Sequence, residues 1–489
     1  MISVRNIYIS SSSIFFFIVS LSLFMAIGEG YDPFSVKMLA AFAVLLIIHQ
    51  GATRYKMSRE ANWVQIDIMF LLMFFFVHFW HWIAVQYGFA SGMEKSTAHF
   101  GRVNYAVGLA LLGMAAFLLG FNLMSAIYQR PFNSASSQHQ WEKFGFIMFY
   151  TGTALTVLYA VYFGANAFEG NYTGSEVGGL ATRSIYMLQG ILLKIGILIL
   201  LIASADEKRF IPKCRVPLFI LACILAMFLV LGDRSEFLYT LAVVLFAYTR
   251  YYKKIPLAIL AMGFVAFAFI MSAVQMARTE ETRSLSTIYE VVSSNSNEIS
   301  SIQGLNGISA SGGVLLGAVN AVPKHHAYFF GDLKMIELLG IIPYGRALFL
   351  DSAPIGQFGT SSEFLTWFIL GPNSKSGTGT TIIADLYVDF GPVGVAVGLL
   401  MLGCITSYLH IKVNQMNTLE YGVIFCYFAG LMVLLPRYNF LMIIRGLIWP
   451  ALFLWLINKL FMSSRREALL ISQENSYEKR TIFTPVTKQ

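Results

Sequence analysis

Charged residues are sparse in this chain, and several lie where chemistry could use them. Asp385 and Asp389 stand four residues apart, so on a helix they put two carboxylates on one face. Gly232-Asp233-Arg234-Ser235-Glu236 sits between two apolar runs with almost no room for a loop. Arg234 there offers a planar fork of donors that can hold a phosphate by two bonds; the alternative is a tight turn whose Asp233 and Arg234 merely cap two helices, although such a turn needs no arginine. Arg437-Tyr438 fills a second tight turn, Arg445 follows further into the last apolar run, and Lys194 falls in the middle of another. Arg278 and Arg283 open a long mixed stretch that also contains Arg346 and Glu363. Ionisable groups inside or at the edge of a membrane are functional candidates by default, though paired acids can also serve to bind basic residues nearby.

The elements that position these residues are apolar. Hydrophobic residues make up 57% of the 489-residue chain and charged residues 12%, against about 25% charged in a soluble domain. Apolar stretches long enough to cross a bilayer as helices recur over 12–27, 36–53, 64–86, 104–128, 143–165, 186–204, 215–232, 235–250, 255–277, 381–408, 418–436 and 440–462. No amphipathic stripe accompanies them, which argues against a soluble helical protein. The expected fold is all-α, a polytopic membrane bundle of about twelve transmembrane helices with one large, partly helical periplasmic loop between helices nine and ten. Its organisation is residues 1–277, the loop 278–380, residues 381–462 and a cytoplasmic tail 463–489.

Basic residues give the orientation. With the N-terminus inside, the inner loops hold Arg54, Lys56 and Arg59, then Arg130 and Lys143, then Lys208, Arg209, Lys213 and Arg215. Arg250, Lys253, Lys254 and Lys412 follow, and the tail adds Arg465, Arg466, Lys479 and Arg480. The outer turns carry fewer, so both termini are expected in the cytoplasm. The same distribution accounts for the formal net charge of +8 by topology and anionic lipid, not by nucleic acid. The four cysteines, Cys214, Cys223, Cys404 and Cys426, leave the outer loops without a disulfide framework, and no zinc spacing occurs.

The long loop reads as a folded cap. Gly313–Val322, Met335–Leu350 and Ser362–Leu370 can each form a short helix lying on the bundle, with Tyr344, Trp367 and Phe368 at headgroup depth. His325-His326 offers a general base or an unremarkable exposed pair, and His78 and His81 suggest interfacial packing. A cap of this kind can hold a bulky polar substrate whose lipid tail stays in the membrane.

The run from Gly377 to Gly394, with Thr378-Gly379-Thr380-Thr381 leading into Asp385-Leu386-Tyr387 and Asp389-Phe390-Gly391-Pro392, resembles the signature that follows the large periplasmic loop in Wzy-type O-antigen polymerases. Gly232-Asp233-Arg234 resembles that family's Gly-x-Arg turn, and Gly340-Ile341-Ile342-Pro343 the apolar stretch ahead of the signature. Asp389 stands where the family often has Asn. The resemblance implies an inner-membrane glycosyltransferase that joins undecaprenyl-diphosphate-linked repeat units at the periplasmic face. A sugar hydroxyl of one unit attacks the anomeric carbon of the growing chain, and a lipid diphosphate leaves. No metal or other cofactor is implied, since arginines can stabilise the leaving diphosphate and a carboxylate can take the hydroxyl proton. It implies catalytic roles for Arg234, Asp385, Glu236 and Arg346. Substrate-binding roles fall to Arg278, Arg283, Arg437, Tyr387, Asp389 and Glu363. Membrane lipid, the lipid-linked glycans and a chain-length regulator protein are the partners it adds. An O-antigen ligase or peptidoglycan glycosyltransferase of similar topology is the nearer rival. A transporter or flippase, which predicts short loops and two similar halves, stands further off.

Overall fold

Each of the apolar segments forms a helix in the computed structural model, because a chain without water to bond its amides must satisfy them within the segment. The structure describes residues 4–58, 63–89, 101–127, 141–163, 180–205, 210–231, 233–277, 301–342, 358–374, 377–416 and 418–462. Before the long loop come α1 (Val4–Ala26), α2 (Pro33–Ser58), α3 (Ile66–His78), α4 (Trp80–Gln86), α5 (Val103–Ile127), α6 (Glu142–Phe163), α7 (Leu180–Ala203), α8 (Phe210–Leu231), α9 (Arg234–Tyr251) and α10 (Leu257–Ala277). The loop contributes α11 (Ser301–Ser309), α12 (Gly312–Ala321), α13 (Asp332–Leu339) and α14 (Ser361–Leu370). After it come α15 (Ile382–Met416), α16 (Leu419–Leu434) and α17 (Met442–Ile457). No strand occurs among the described residues. Eight of these helices are long and apolar enough to cross a membrane, and a ninth crossing follows if the bent pair α3–α4 is one span.

The centre of the bundle is α5, which packs most extensively against α15. Small residues let the two backbones meet: a Cβ on Gly120 would lie 2.0 Å from the Leu400 carbonyl oxygen, and one on Gly403 2.1 Å from that of Phe117. Without a hydrophobic force between helices in lipid, such close approach is a main source of their association.

Polar contacts gather at the two ends of the bundle. At one end Arg54 Nε and Gln50 Nε2 donate to Asp67 Oδ2 at 2.8 and 2.5 Å, Gln50 shares hydrogen bonds with Asn122, and Asn122 Nδ2 donates to Ser13 Oγ at 2.9 Å. Arg250 Nη2 donates to Asn414 Oδ1 at the ends of α9 and α15. At the other end Arg102 Nη1 donates to the Val319 carbonyl at 2.7 Å, tying the start of α5 to α12 of the loop.

The loop helices are not merely laid on the bundle. Val314, Leu315, Leu316, Ala318, Val319 and Ala321 of α12 are buried, and the start of α12 covers the end of α3–α4. His78 and His81, expected at the interface, are therefore interior residues, 1% and 2% exposed, with Gly312 packed within 3.0 Å of the His81 side chain by the measure of an added Cβ. Two of the short helices expected in the loop appear, at Gly312–Ala321 and Ser361–Leu370, with Ser301–Ser309 in addition; in place of Met335–Leu350 a helix spans Asp332–Leu339 and ends at Gly340, and residues 343–350 lie outside the described residues. Tyr344 lies outside the described residues.

Candidate active site

The acidic pair owes its position to a break in α15. Gly391 has φ 64° and ψ −159°, a left-handed conformation that side chains resist, and Pro392 restarts the helix from there. A Cβ on Gly394 would come within 2.3 Å of the Phe390 side chain, so a small residue is needed for the chain to fold back so closely. The Asp-Phe-Gly-Pro-Val-Gly run thus separates a short segment, Ile382 to Phe390, from the membrane-length remainder. On that segment Asp385 and Asp389 share a face, and both are fully buried.

What they face is Lys334 of α13. Its Nζ lies 2.7 Å from Asp385 Oδ1 and 2.7 Å from Asp389 Oδ2, the second an ion pair without a directed hydrogen bond. Asp385 is held by further donors, Ser361 Oγ at 2.5 Å on Oδ1 and the Phe440 amide at 2.7 Å on Oδ2. Asp389 Oδ1 accepts from the Gly331 amide at 3.2 Å, and the Phe329 and Phe330 amides donate to the Val388 and Asp389 carbonyls. Glu337, one turn beyond Lys334, lies 3.7 Å from the ammonium, and its Oε1 accepts from Asn439 Nδ2 at 3.1 Å. Burial and the neighbouring Asp385 push the Glu337 carboxyl up to about 8 against the pull of Lys334. Burial opposes the charge on Lys334, but Asp385, Glu337 and Asp389 together outweigh it and raise its pKa.

A second cluster surrounds the Asp233 turn. The Asp233 side chain caps α9 by accepting from the Glu236 amide at 3.1 Å, and it accepts from the Tyr186 hydroxyl. Glu236 pairs with Lys194, whose ammonium also lies 4.7 Å from the Tyr239 ring centroid. Burial and the adjacent Glu236 raise the Asp233 carboxyl above the usual carboxylate range.

The turn between α16 and α17 joins the two clusters. Four successive residues reach four separate parts of the chain: Arg437 Nε donates to Ser311 Oγ at 3.1 Å, and the Tyr438 side chain faces Ser235 beside Asp233. Asn439 then holds Glu337, and the Phe440 amide holds Asp385. The turn thereby links the segment that follows Arg234, through Tyr438 and Ser235, to the acidic centre.

The remaining candidates sit apart from this centre. Tyr387 points away from it, its hydroxyl donating to the Val322 carbonyl at 3.3 Å beside Tyr105 and Tyr328. Glu363 is exposed and forms a reciprocal cap with Thr360: its amide donates to Thr360 Oγ1 while its Oε2 accepts from the Gly359 amide. His326 stacks on Phe329 and its Nδ1 lies against the Ala327 carbonyl. Arg278, Arg283 and Arg346 lie outside the described residues. Sequence reasoning missed Lys334, Glu337, Ser361 and Asn439. One signal was available for the first two, a Lys and a Glu spaced i,i+3 in a helix that is otherwise apolar after Asp332.

A multi-pass helical membrane protein with a closed polar centre at one end, assembled from a long helical loop and two tight turns, is the class this architecture defines. The chain belongs to the O-antigen polysaccharide polymerase Wzy family, whose sequence model matches residues 8–465. No curated protein and no solved structure matches it. The family makes it a polymerase of polysaccharide biosynthesis that acts on lipid-linked oligosaccharide repeat units in the membrane.

Proposed function

We propose that the protein joins repeat units carried on undecaprenyl diphosphate at the periplasmic face of the inner membrane, as a glycosyltransferase whose leaving group is the lipid diphosphate. The observation that carries this reading is the Arg437-Tyr438-Asn439-Phe440 turn, which ties the Asp233–Glu236 cluster to the Lys334–Glu337–Asp385–Asp389 cluster. Arg234 and Arg437 flank that junction and grip the diphosphate, with Arg278, Arg283 and Arg346 assigned to the same anionic substrate. Asp385, bonded on both oxygens, holds the centre in shape, and Glu236 with Lys194 orients the Arg234 turn. Asp389 and Glu363 complete the proposed substrate-binding set, while Tyr387, held on the Val322 carbonyl, positions the segment that carries the two acids. Twelve crossings with both termini in the cytoplasm rest on the distribution of basic residues between the apolar segments, and a chain-length regulator is the proposed protein partner.

Lipopolysaccharide profiles test the reading. A deletion strain should lose the O-antigen ladder and keep single-repeat caps, whereas loss of the caps as well points to a ligase or flippase. Arg234→Ala should abolish long chains at normal protein abundance, and Arg234→Lys should fall clearly short of wild type because a point charge cannot reproduce the bidentate fork. A normal chain-length distribution in Arg234→Ala would remove the diphosphate role.

A further inference from the structure

Three carboxylates crowd one ammonium in the centre, and they are not equally provided for. Both oxygens of Asp385 have donors, from Ser361, Lys334 and the Phe440 amide. Asp389 has the Gly331 amide on one oxygen and the Lys334 ammonium at 2.7 Å from the other. Glu337 stands furthest from the ammonium, at 3.7 Å, with its side chain only 5% exposed, and its Oε2 is buried without a hydrogen-bond donor among the described residues. If all four groups were charged, the centre would carry a net charge of −2, taken from three acids and one lysine. A proton relieves that imbalance most readily on Glu337, the acid with the least compensation.

Position adds to this. Asn439, which fixes the other Glu337 oxygen, belongs to the turn that also carries Arg437 and reaches the Arg234 segment. Glu337 Oε2 therefore keeps a hydrogen-bonding position open, facing the Lys334 ammonium only at 3.7 Å, on a carboxyl tied through Asn439 to the turn that carries Arg437.

We propose that Glu337 takes the proton from the sugar hydroxyl that attacks the donor. The inference rests on the polymerase reading. In the step, the hydroxyl oxygen forms a bond to the anomeric carbon, and the bond from that carbon to the diphosphate oxygen breaks. Its electron pair leaves with the lipid diphosphate, the hydroxyl proton passes to Glu337 Oε2, and water carries it away before the next turnover. A carboxyl that titrates at about 8 suits this task, since an acid–base group is most effective near the working pH. The groups that set that titration are Lys334 on its own helix, Asp385 and Asp389 on α15 and Asn439 on the turn.

The test uses the full-length protein in lipid nanodiscs with lipid-diphosphate-linked repeat units extracted from a polymerase-deletion strain. Glu337→Gln keeps the size and the acceptor for Asn439. It should lower kcat by about 10²–10⁴-fold with KM little changed. Glu337→Asp should recover a measurable part of the rate, with the acid limb of its pH–rate profile displaced from that of wild type. Wild type should itself show an acid limb between about pH 7 and 8. A Glu337→Gln rate close to wild type, or a wild-type profile that is flat from about pH 6 to 9, overturns the assignment. Wild type that elongates nothing under these conditions instead overturns the polymerase reading, and the assignment with it.

Discussion

Removing Lys334 and Asp385 singly and together tests whether the centre is one coupled unit. The pair is 2.7 Å apart, with side chains 10% and 0% exposed, so water screens it weakly. Lys334→Met leaves two carboxylates without the ammonium 2.7 Å away, and breaking a buried pair from one side costs about 3–5 kcal/mol. Asp385→Asn keeps the volume, but its amide can accept on one side only. One set of donors, Lys334 and Ser361 or else the Phe440 amide, then faces an NH2 group. Unmet bonds of this kind cost about 1–3 kcal/mol each, so this variant should also lose several kcal/mol. In the double variant neither charge of the pair is left buried without its partner, and the two effects should fall short of additivity by about 1.5 kcal/mol or more. Thermal unfolding of the four proteins in mild detergent, evaluated as a double-mutant cycle, measures that coupling. Costs that add within about 0.5 kcal/mol would refute the coupled centre.

Glu337 makes a separate prediction about stability and pH. Its carboxyl binds a proton more tightly folded, at about 8, than at its ordinary 4.5, so the stabilisation from proton uptake is complete below 4.5 and is lost as pH rises through 8. Wild type should therefore weaken between those values while Glu337→Gln does not, a gap of up to a few kcal/mol above pH 8. Parallel melting curves for the two proteins would contradict it. For topology, a cysteine at the exposed Lys324 should react with a membrane-impermeant maleimide once only the outer membrane is opened. Labelling that waits for rupture of the inner membrane would reverse the proposed orientation.

The spanning helices were legible because an apolar run of membrane length leaves the backbone one way to satisfy itself. The segment 104–128 and the helix Val103–Ile127 nearly coincide for that reason. The shared face of Asp385 and Asp389 followed from helical spacing alone. What they face did not. Lys334 lies on an eight-residue helix that buries Leu333, Lys334 and Ile336 while exposing Met335 and Leu338, so apolar residues line both of its sides. No period within such a helix says which side turns inward; the answer comes from acids some fifty positions later. His81 misled in the same way, since the start of a loop helix far along the chain packs on it. The turn at 437–440 carried the least signal, because two of its four links run through a backbone amide and a neutral asparagine.

That turn has a consequence for how the protein is made. Synthesis delivers Lys334 before Asp385 and Asp389, so the acids emerge with a counter-charge already in the chain. Their remaining anchor, the Phe440 amide, arrives only with the final hairpin of α16 and α17. Until that hairpin inserts, Asp385 lacks a donor, Glu337 lacks Asn439 and the Asp233 segment lacks its link to Tyr438. The centre is thus completed only after the other described helices have been synthesised. A nascent or truncated chain can hold most of its helices and still present a half-paired acidic core, the kind of defect that membrane quality control can sense.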